Sequence, residues 1–240
     1  MNAPLPSPRL PPRRRSDSPY ASDPWNLSNL PRLAGEHASM LRVVEGHIPG
    51  VTVPWMYVGM MFSSFCWHVE DHAFYSINYH HWGAPKKWYG VPGVAAGLFE
   101  AAFRAALPDQ VAIQPDLLFQ LVAMLSPRVL QAYGVPVHSA TQEAGQFVVT
   151  FPNAYHAGFN LGTNCGEAVN FAPADWARFA AAGVARYRLY RRPCVIAQEE
   201  MLLKVGAGGG KGGGGTRGPW GQRSGAGCVM EAAEGAWVSC

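Results

Sequence analysis

The chain has 240 residues, with 19 lysines and arginines against 16 aspartates and glutamates, and 48% of its residues are hydrophobic. This length suits one domain, or two small ones, with a substantial core. No apolar run approaches the roughly 18 residues of a membrane-spanning helix, so no membrane partner is expected. A net charge of +3 is too weak to indicate nucleic-acid binding by itself. The five cysteines are widely spaced and form no C-x-x-C pair, which argues against a disulfide scaffold and a cysteine-type zinc module.

Composition divides the chain into two tails and a folded middle. Residues 1–21 contain six prolines and the run Arg13–Arg15, which predicts a disordered tail. That run is either a weak nuclear import signal or an ordinary solvated segment. Residues 206–240 contain 13 of the 27 glycines and predict a flexible tail. Between the tails we predict a folded domain over 22–188 and a C-terminal helical extension over 189–205.

The local patterns predict a mainly β architecture with added helices. Segments rich in β-branched and aromatic residues predict strands over 51–62, 73–79, 88–92 and 146–151. Apolar periodicity and proline positions predict helices over 94–107, 115–125, 127–133 and 174–192. Strands, then a helical insert, then strands again indicate a mainly antiparallel sheet structure.

The candidate chemistry lies between the first two predicted strands, in the segment 65–72, Phe-Cys-Trp-His-Val-Glu-Asp-His. On an extended backbone, residues two apart project from the same face, so His68 and Glu70 can reach one ion. His156 follows the predicted strand 146–151 by a turn and can supply a third ligand. Two histidines and one carboxylate on one face of an octahedron are typical of non-haem Fe(II) oxygenases.

The spacing alone leaves other interpretations open. With eight histidines in the chain, a chance H-x-E match is common. His68 and His72 also lie four residues apart and could bind zinc from one helix face, although the aromatic, turn-rich flanks disfavour a helix here. A structural or surface role is the default for His72, His80, His81 and His138.

Four segments resemble the JmjC-domain histone lysine demethylases: 53–72, 75–79, 81–92 and 145–160. The chain looks most like the subfamily that acts on trimethylated and dimethylated lysine 4 of histone H3 and also carries JmjN, ARID and PHD modules. The segments 25–31 and 167–171 fit that subfamily too. The resemblance covers about 22–205, and it implies a double-stranded β-helix (jelly-roll, cupin-like) fold with 22–188 as the catalytic JmjC domain.

The resemblance also implies Fe(II) as cofactor, with 2-oxoglutarate and O₂ as co-substrates. It carries the family's iron ligands onto His68, Glu70 and His156. It carries the 2-oxoglutarate contacts onto Ser76, Asn78 and Lys86. The chemistry of these residues agrees, because the distal carboxylate of 2-oxoglutarate needs a cation, and residues 76 and 78 share one strand face. Without the resemblance, a surface lysine and ordinary polar strand residues would be the simpler interpretation.

The methyl-lysine pocket has four candidate residues: Tyr57, Phe65, Trp88 and Asn160. The three aromatic residues could line the entrance, and Asn160 could form a hydrogen bond near the iron. Aromatic residues in a β-barrel are more often part of the core than of a binding cage, so both interpretations stay open for these candidates.

The implied activity is demethylation of methyl-lysine on histone H3, with lysine 4 as the expected position. N-methyl hydroxylation would release formaldehyde, succinate and CO₂. The expected partners are the methylated histone H3 tail and chromatin complexes in the nucleus, without direct sequence-specific DNA binding. The alternatives are a catalytically weak or inactive JmjC scaffold in chromatin and a 2-oxoglutarate-dependent protein hydroxylase.

One part of the family pattern does not match. The larger members have a JmjN segment and an upstream strand whose tyrosine contacts 2-oxoglutarate, whereas here the proline-rich tail occupies that place. Tyr20 lacks the surrounding pattern, so the role is not transferred to it. We therefore expect an incomplete or weakened catalytic core with one uncovered sheet edge, which favours aggregation.

Overall fold

A computed structural model describes residues 18–208 and 238–239 of the chain. The strands in these residues are β1 (Trp55–Gly59), β2 (Ser64–His68), β3 (Tyr75–Gly83), β4 (Lys86–Val91), β5 (His138–Gln142), β6 (Phe147–Thr150), β7 (Tyr155–Asn160), β8 (Asn164–Phe171) and β9 (Val238–Ser239). The α-helices are α1 (Ala96–Ala106), α2 (Pro108–Ile113), α3 (Pro127–Ala132), α4 (Ala180–Leu189) and α5 (Gln198–Gly208).

The strands form two antiparallel sheets, which confirms the predicted jelly roll. One sheet has the order β1-β8-β3-β6-β9 and the other has the order β2-β7-β4-β5. In the second sheet β7 lies between β2 and β4, so that His156 stands opposite His68 and Asn160 opposite Lys86. The register of the central strands therefore joins segments that are far apart in sequence.

Two apolar clusters cover the outer faces of the sheets. Side chains alternate along a strand, so Ile77 on β3 points away from the face that carries residues 76 and 78. Ile77 packs in a cluster that includes Trp176 and Met201 from the C-terminal part of the chain. On the other sheet, Val91 packs in a cluster with Phe99 of α1. Ser76, Asn78 and Lys86 are thereby left facing the interior between the sheets.

The predicted strands are present, but the first is shorter than predicted. It covers only Trp55–Gly59, because backbone hydrogen bonds close a turn at 48–53 before it. After it, Phe62 has a φ of 64° in a second turn. Five further strands, β2, β5, β7, β8 and β9, lie outside the predicted strand segments.

The helices agree less well with the predictions. The predicted helix 115–125 is wrong: the structure has α2 before it and only a 3₁₀ turn at Leu117–Phe119. The carbonyls of Ala123 and Leu125 instead accept hydrogen bonds from the backbone and indole N–H of Trp67, which holds this stretch against β2. The predicted helix 127–133 is present as α3, with Ser126 as its N-cap. The predicted helix 174–192 begins as a 3₁₀ turn at Ala174–Phe179 and continues as α4.

The two predicted tails lie largely outside the described residues. Residues 18–21 form a turn, 206–208 complete α5, and 238–239 pair with β6 at one edge of the five-stranded sheet. At the other edge, no described strand pairs with the outer side of β1. No helix within 18–208 is long and apolar enough to cross a membrane.

We expect Gly158→Ala on β7 to destabilise the fold. A Cβ at this position would lie 2.1 Å from the carbonyl oxygen of Lys87 and 2.6 Å from the Phe65 ring. Such overpacking typically costs about 1–3 kcal/mol. The matched control is Gly97→Ala in α1, where a Cβ meets no atom within 4 Å and the helix should gain about 0.5–1 kcal/mol. Urea unfolding of both variants gives the two free energies of unfolding, and equal values would contradict the prediction.

Candidate metal centre

The structure brings His68, Glu70 and His156 together at one point. His68 ends β2, Glu70 follows two residues later, and His156 lies on the neighbouring strand β7. Oε1 of Glu70 lies 3.3 Å from Nε2 of His156 and 4.0 Å from Nε2 of His68. The three ligand atoms all lie within 4.8 Å of one another. Metal–ligand bonds of about 2.1 Å place neighbouring ligand atoms roughly 3 Å apart, so this spacing fits one ion.

Hydrogen bonds to the backbone orient both imidazoles. Nδ1 of His68 lies 2.7 Å from the carbonyl oxygen of Cys66, and Nδ1 of His156 lies 3.0 Å from that of Ala154. A carbonyl only accepts, so each Nδ1 carries a proton and each Nε2 is the ring nitrogen that faces Glu70. This arrangement is typical of histidines that bind a metal through Nε2.

Asn170 on β8 orients the carboxylate of Glu70. Its Nδ2 donates to Oε2 of Glu70 at 2.9 Å and to the carbonyl oxygen of Tyr75 at 3.2 Å. The other carboxylate oxygen is thereby left facing the two histidines. The sequence analysis assigned no role to Asn170, because its contact with Glu70 depends on the pairing of β8 with β3, which sets it opposite Ser76.

The ionisation of the site suits a divalent metal. Burial lowers the pKa of His68 to about 4, with a further contribution from His156, so its imidazole is neutral at physiological pH. Burial would raise the pKa of Glu70, but the hydrogen bond and charge of His156 and the proximity of His68 outweigh it and lower the pKa to about 2. Metals bind the neutral imidazole and the ionised carboxylate. The donor set therefore fits Fe(II).

A cavity of about 410 Å³ opens beside these three residues. A cavity of this size suits a small ligand. It is lined by the three candidate metal ligands and by all three predicted 2-oxoglutarate contacts, Ser76, Asn78 and Lys86.

Lys86 places a buried cation at this cavity. It is 6% exposed, and its Nζ donates to Oδ1 of Asn160 at 2.6 Å and lies 5.7 Å from the centre of the Phe65 ring. Burial lowers the pKa of Lys86 to about 8. Within 18–208, no carboxylate lies within ion-pair distance of this ammonium. Its neighbour Lys87 instead reaches the exposed Ser139.

Two residues that the sequence analysis missed hold Ser76 and Asn78 in place. The hydroxyls of Ser76 and Thr150 are hydrogen-bonded at 2.5 Å across β3 and β6. Nε2 of the fully buried Gln142 donates to Oδ1 of Asn78 at 3.2 Å. Oε1 of Gln142 accepts from the indole of Trp88 at 2.9 Å. Gln142 lies on β5, one of the strands outside the predicted segments.

The four candidate pocket residues fall into two groups. Three of them line the cavity: Tyr57, Phe65 and Trp88. Burial, together with the nearby charge of Glu70, raises the pKa of Tyr57. Asn160 lies farther back: its Oδ1 accepts from Lys86, and its Nδ2 donates to the hydroxyl of Ser63 at 2.8 Å. In the structure, Asn160 therefore contacts the buried lysine, and its hydrogen bond near the iron stays a prediction.

The remaining histidines lie outside the centre. The zinc alternative is wrong, because His68 ends a strand and His72 lies in the 3₁₀ turn Asp71–Ala73, with its ring hydrogen-bonded to Gln198. His80 is fully buried, and His81 pairs with Glu167 at 2.8 Å.

Comparisons with known proteins agree with this site. Residues 55–171 match the family model described as "JmjC domain, hydroxylase". The chain is similar to Lysine-specific demethylase JMJ17 of Arabidopsis thaliana, with 59% identity over 189 residues, which are 79% of this chain and 15% of that protein. It is also similar to Lysine-specific demethylase JMJ703 of Oryza sativa subsp. japonica, with 54% identity over 82% of this chain and 16% of that protein.

The chain is also similar to a vertebrate lysine-specific demethylase. Lysine-specific demethylase 5B of Gallus gallus is 48% identical over 192 residues, 80% of this chain and 12% of that protein. The chain thus spans less than a fifth of the length of these relatives. The sequence matches, the two-sheet fold and the His-Glu-His cluster all agree. The chain therefore belongs to the JmjC family, and residues 55–171 are its JmjC domain.

Proposed function

We propose that this chain is an Fe(II)- and 2-oxoglutarate-dependent dioxygenase that demethylates methyl-lysine on histone H3, with lysine 4 as the expected position. The observation that carries the proposal is the convergence of His68, Glu70 and His156 beside a cavity that contains the buried Lys86. Relatives named lysine-specific demethylases support the substrate class. A histone substrate implies a nuclear location and chromatin partners.

The three ligand residues would hold Fe(II) through Nε2 of both histidines and Oε1 of Glu70. When bound, Fe(II) supplies the activation of O₂ by which 2-oxoglutarate is converted to succinate and CO₂ and an N-methyl group is hydroxylated. The hydroxymethyl amine then loses formaldehyde and leaves a lysine with one methyl group fewer. Two histidines and one carboxylate leave coordination positions open for co-substrates.

The role of the cavity is to bind and orient 2-oxoglutarate. Lys86 is a buried ammonium without an ion-pair partner in the described residues, so it can pair with the distal carboxylate. The side chains of Ser76 and Asn78 add hydrogen bonds from the facing strand, and Thr150 and Gln142 limit their rotation. Fixing the co-substrate in this way reduces the entropic cost of reaching the reactive arrangement.

The aromatic rings on the cavity wall suit a methylated ammonium group. Tyr57 is 43% exposed and packs edge-on against Trp55, with ring centres 6.0 Å apart. Methylammonium cations are attracted to the faces of such rings. The substrate lysine would therefore enter on the side of β1.

Mass spectrometry on synthetic histone H3 peptides tests this function. The iron-loaded chain is incubated with 2-oxoglutarate, ascorbate and a peptide trimethylated at lysine 4. Removal of methyl groups, each a loss of about 14 mass units, is expected, with formaldehyde in equal amount. A stable gain of about 16 mass units would favour a protein hydroxylase, and unchanged peptide with metal bound would favour a chromatin scaffold. A peptide trimethylated at another lysine serves as the matched control for position.

Binding of 2-oxoglutarate should weaken above about pH 8. The pKa of Lys86 is lowered to about 8 by burial, so the ammonium that pairs with the carboxylate is lost as the pH rises through that value. We expect the Kd of the cobalt-loaded protein for 2-oxoglutarate to be constant below about pH 7 and to rise up to tenfold per pH unit above 8. Calorimetry at several pH values measures this. The control is Lys86→Arg, which stays charged and should flatten the profile.

A further inference from the structure

The turn that follows Glu70 has an unusual backbone. His72 and Ala73 have φ values of 52° and 51°, a left-handed conformation that is uncommon for residues other than glycine. Such conformations persist when the surrounding structure enforces them, and they cluster at functional sites. The residues that enforce this turn therefore also determine where the Glu70 carboxylate lies.

The imidazole of His72 joins this turn to the segment before α5. It is 1% exposed, and its Nδ1 donates to Oε1 of Gln198 at 2.9 Å. Its Nε2 accepts from the backbone N–H groups of Val195 and Ile196 at 3.1 and 3.2 Å. Both ring nitrogens thus form hydrogen bonds with residues more than 120 positions away in sequence.

The C-terminal helical region holds the same turn from a second side. The indole N–H of Trp176 donates to the carbonyl oxygen of His72 at 3.1 Å. The hydroxyl of Tyr187 on α4 donates to Oδ1 of Asp71 at 2.5 Å. A Cβ at Gly183 would lie 3.0 Å from that same His72 oxygen, so α4 lies close to the backbone of the turn. Asp71 and His72 are therefore both hydrogen-bonded to the C-terminal helical region.

We infer that α4 and the segment 195–198 position the carboxylate of Glu70 for metal binding, with His72, Tyr187 and Gln198 as positioning residues. The inference rests on the proposed function, because it takes Glu70 as a metal ligand. The C-terminal region would then help to set the geometry of the metal centre, although it lies outside the matched domain, residues 55–171. Asn170 on β8 holds the carboxylate itself. The hydrogen bonds from α4 and from the segment 195–198 hold the backbone that carries it.

Two variants and one control test the inference. Tyr187→Phe removes only the hydroxyl that binds Asp71, and Gln198→Met removes the acceptor for His72 at similar volume. Glu199→Gln is the control, since residue 199 is exposed and its one ion pair within 18–208 is a surface pair with Arg188. Each chain is titrated with Co(II), and its visible d–d absorption is recorded as a measure of coordination geometry. We expect both variants to bind cobalt about 10–100-fold more weakly with altered d–d bands, and the control to match the native chain.

The melting temperature of each metal-free chain separates positioning from folding. A variant that has a lower melting temperature but keeps the native cobalt affinity and spectrum would overturn the inference, because the substituted residue would then have a structural role only. Tyr187→Phe keeps the ring and the packing, so it tests the idea even when Gln198→Met fails to fold. A native chain that does not bind cobalt would instead overturn the proposed metal centre, and the inference with it.

Discussion

His68→Ala is expected to abolish metal binding and demethylation. The substitution removes one of three ligand atoms that lie within 4.8 Å of one another, and leaves a pair, Glu70 and His156, 3.3 Å apart. Changes in residues that only support a ligand typically cost 10–100-fold in metal affinity, so loss of a ligand itself should cost more. The effect on turnover should be complete, because the oxidation depends on the bound metal.

Cobalt titration followed by the visible spectrum, and metal analysis after gel filtration, measure this directly. The matched control is His81→Ala, the same change at a histidine that pairs with Glu167 outside the cavity. It should keep one metal ion per chain and native turnover. Stoichiometric metal in His68→Ala would show that the ion binds elsewhere, and would contradict the proposed ligand set.

The metal cluster could be predicted because its signals are local. His68 and Glu70 share one face of an extended segment, and a residue pattern around each of these positions resembles the family. The third ligand depends on strand pairing, and the pairing of β2 with β7 places His156 opposite His68. The position of His156 after the predicted strand 146–151 made it a candidate, and the resemblance then assigned it among the eight histidines of the chain.

The supporting residues could not be predicted because their roles depend on register. Asn170 and Thr150 lie in segments that resemble the family, but no role was assigned to them or to Gln142, because each acts through a side chain that only the fold brings near. The segment 115–125 was mispredicted for a different reason. Its pattern is helical, but Trp67 donates hydrogen bonds to two of its carbonyl groups and holds them in another conformation. Such tertiary hydrogen bonds outweigh a helix propensity of a few tenths of a kcal/mol per residue.

Lys86→Met is expected to raise the Kd for 2-oxoglutarate about 100-fold and to leave cobalt affinity unchanged. The co-substrate's distal carboxylate would lose a buried ammonium, and truncating one partner of a buried charge pair typically costs about 2–5 kcal/mol. Each 1.4 kcal/mol is a factor of ten in affinity, so about 100-fold is the lower part of that range. Nζ of Lys86 binds Oδ1 of Asn160, which is not one of the three candidate metal ligands.

The fold should tolerate this change, which makes the binding result interpretable. Methionine fills similar space, and Oδ1 of Asn160 keeps a second donor, Nδ2 of Asn164 at 2.9 Å, so no buried acceptor is left without a partner. Lys87→Met is the matched control, because that amine reaches the exposed Ser139 and should leave 2-oxoglutarate binding unaltered. Calorimetry on the cobalt-loaded chains compares the two variants. Equal affinities would mean that the carboxylate binds elsewhere in the cavity, and an equal loss of cobalt affinity would mean that Lys86→Met disturbs the metal centre itself.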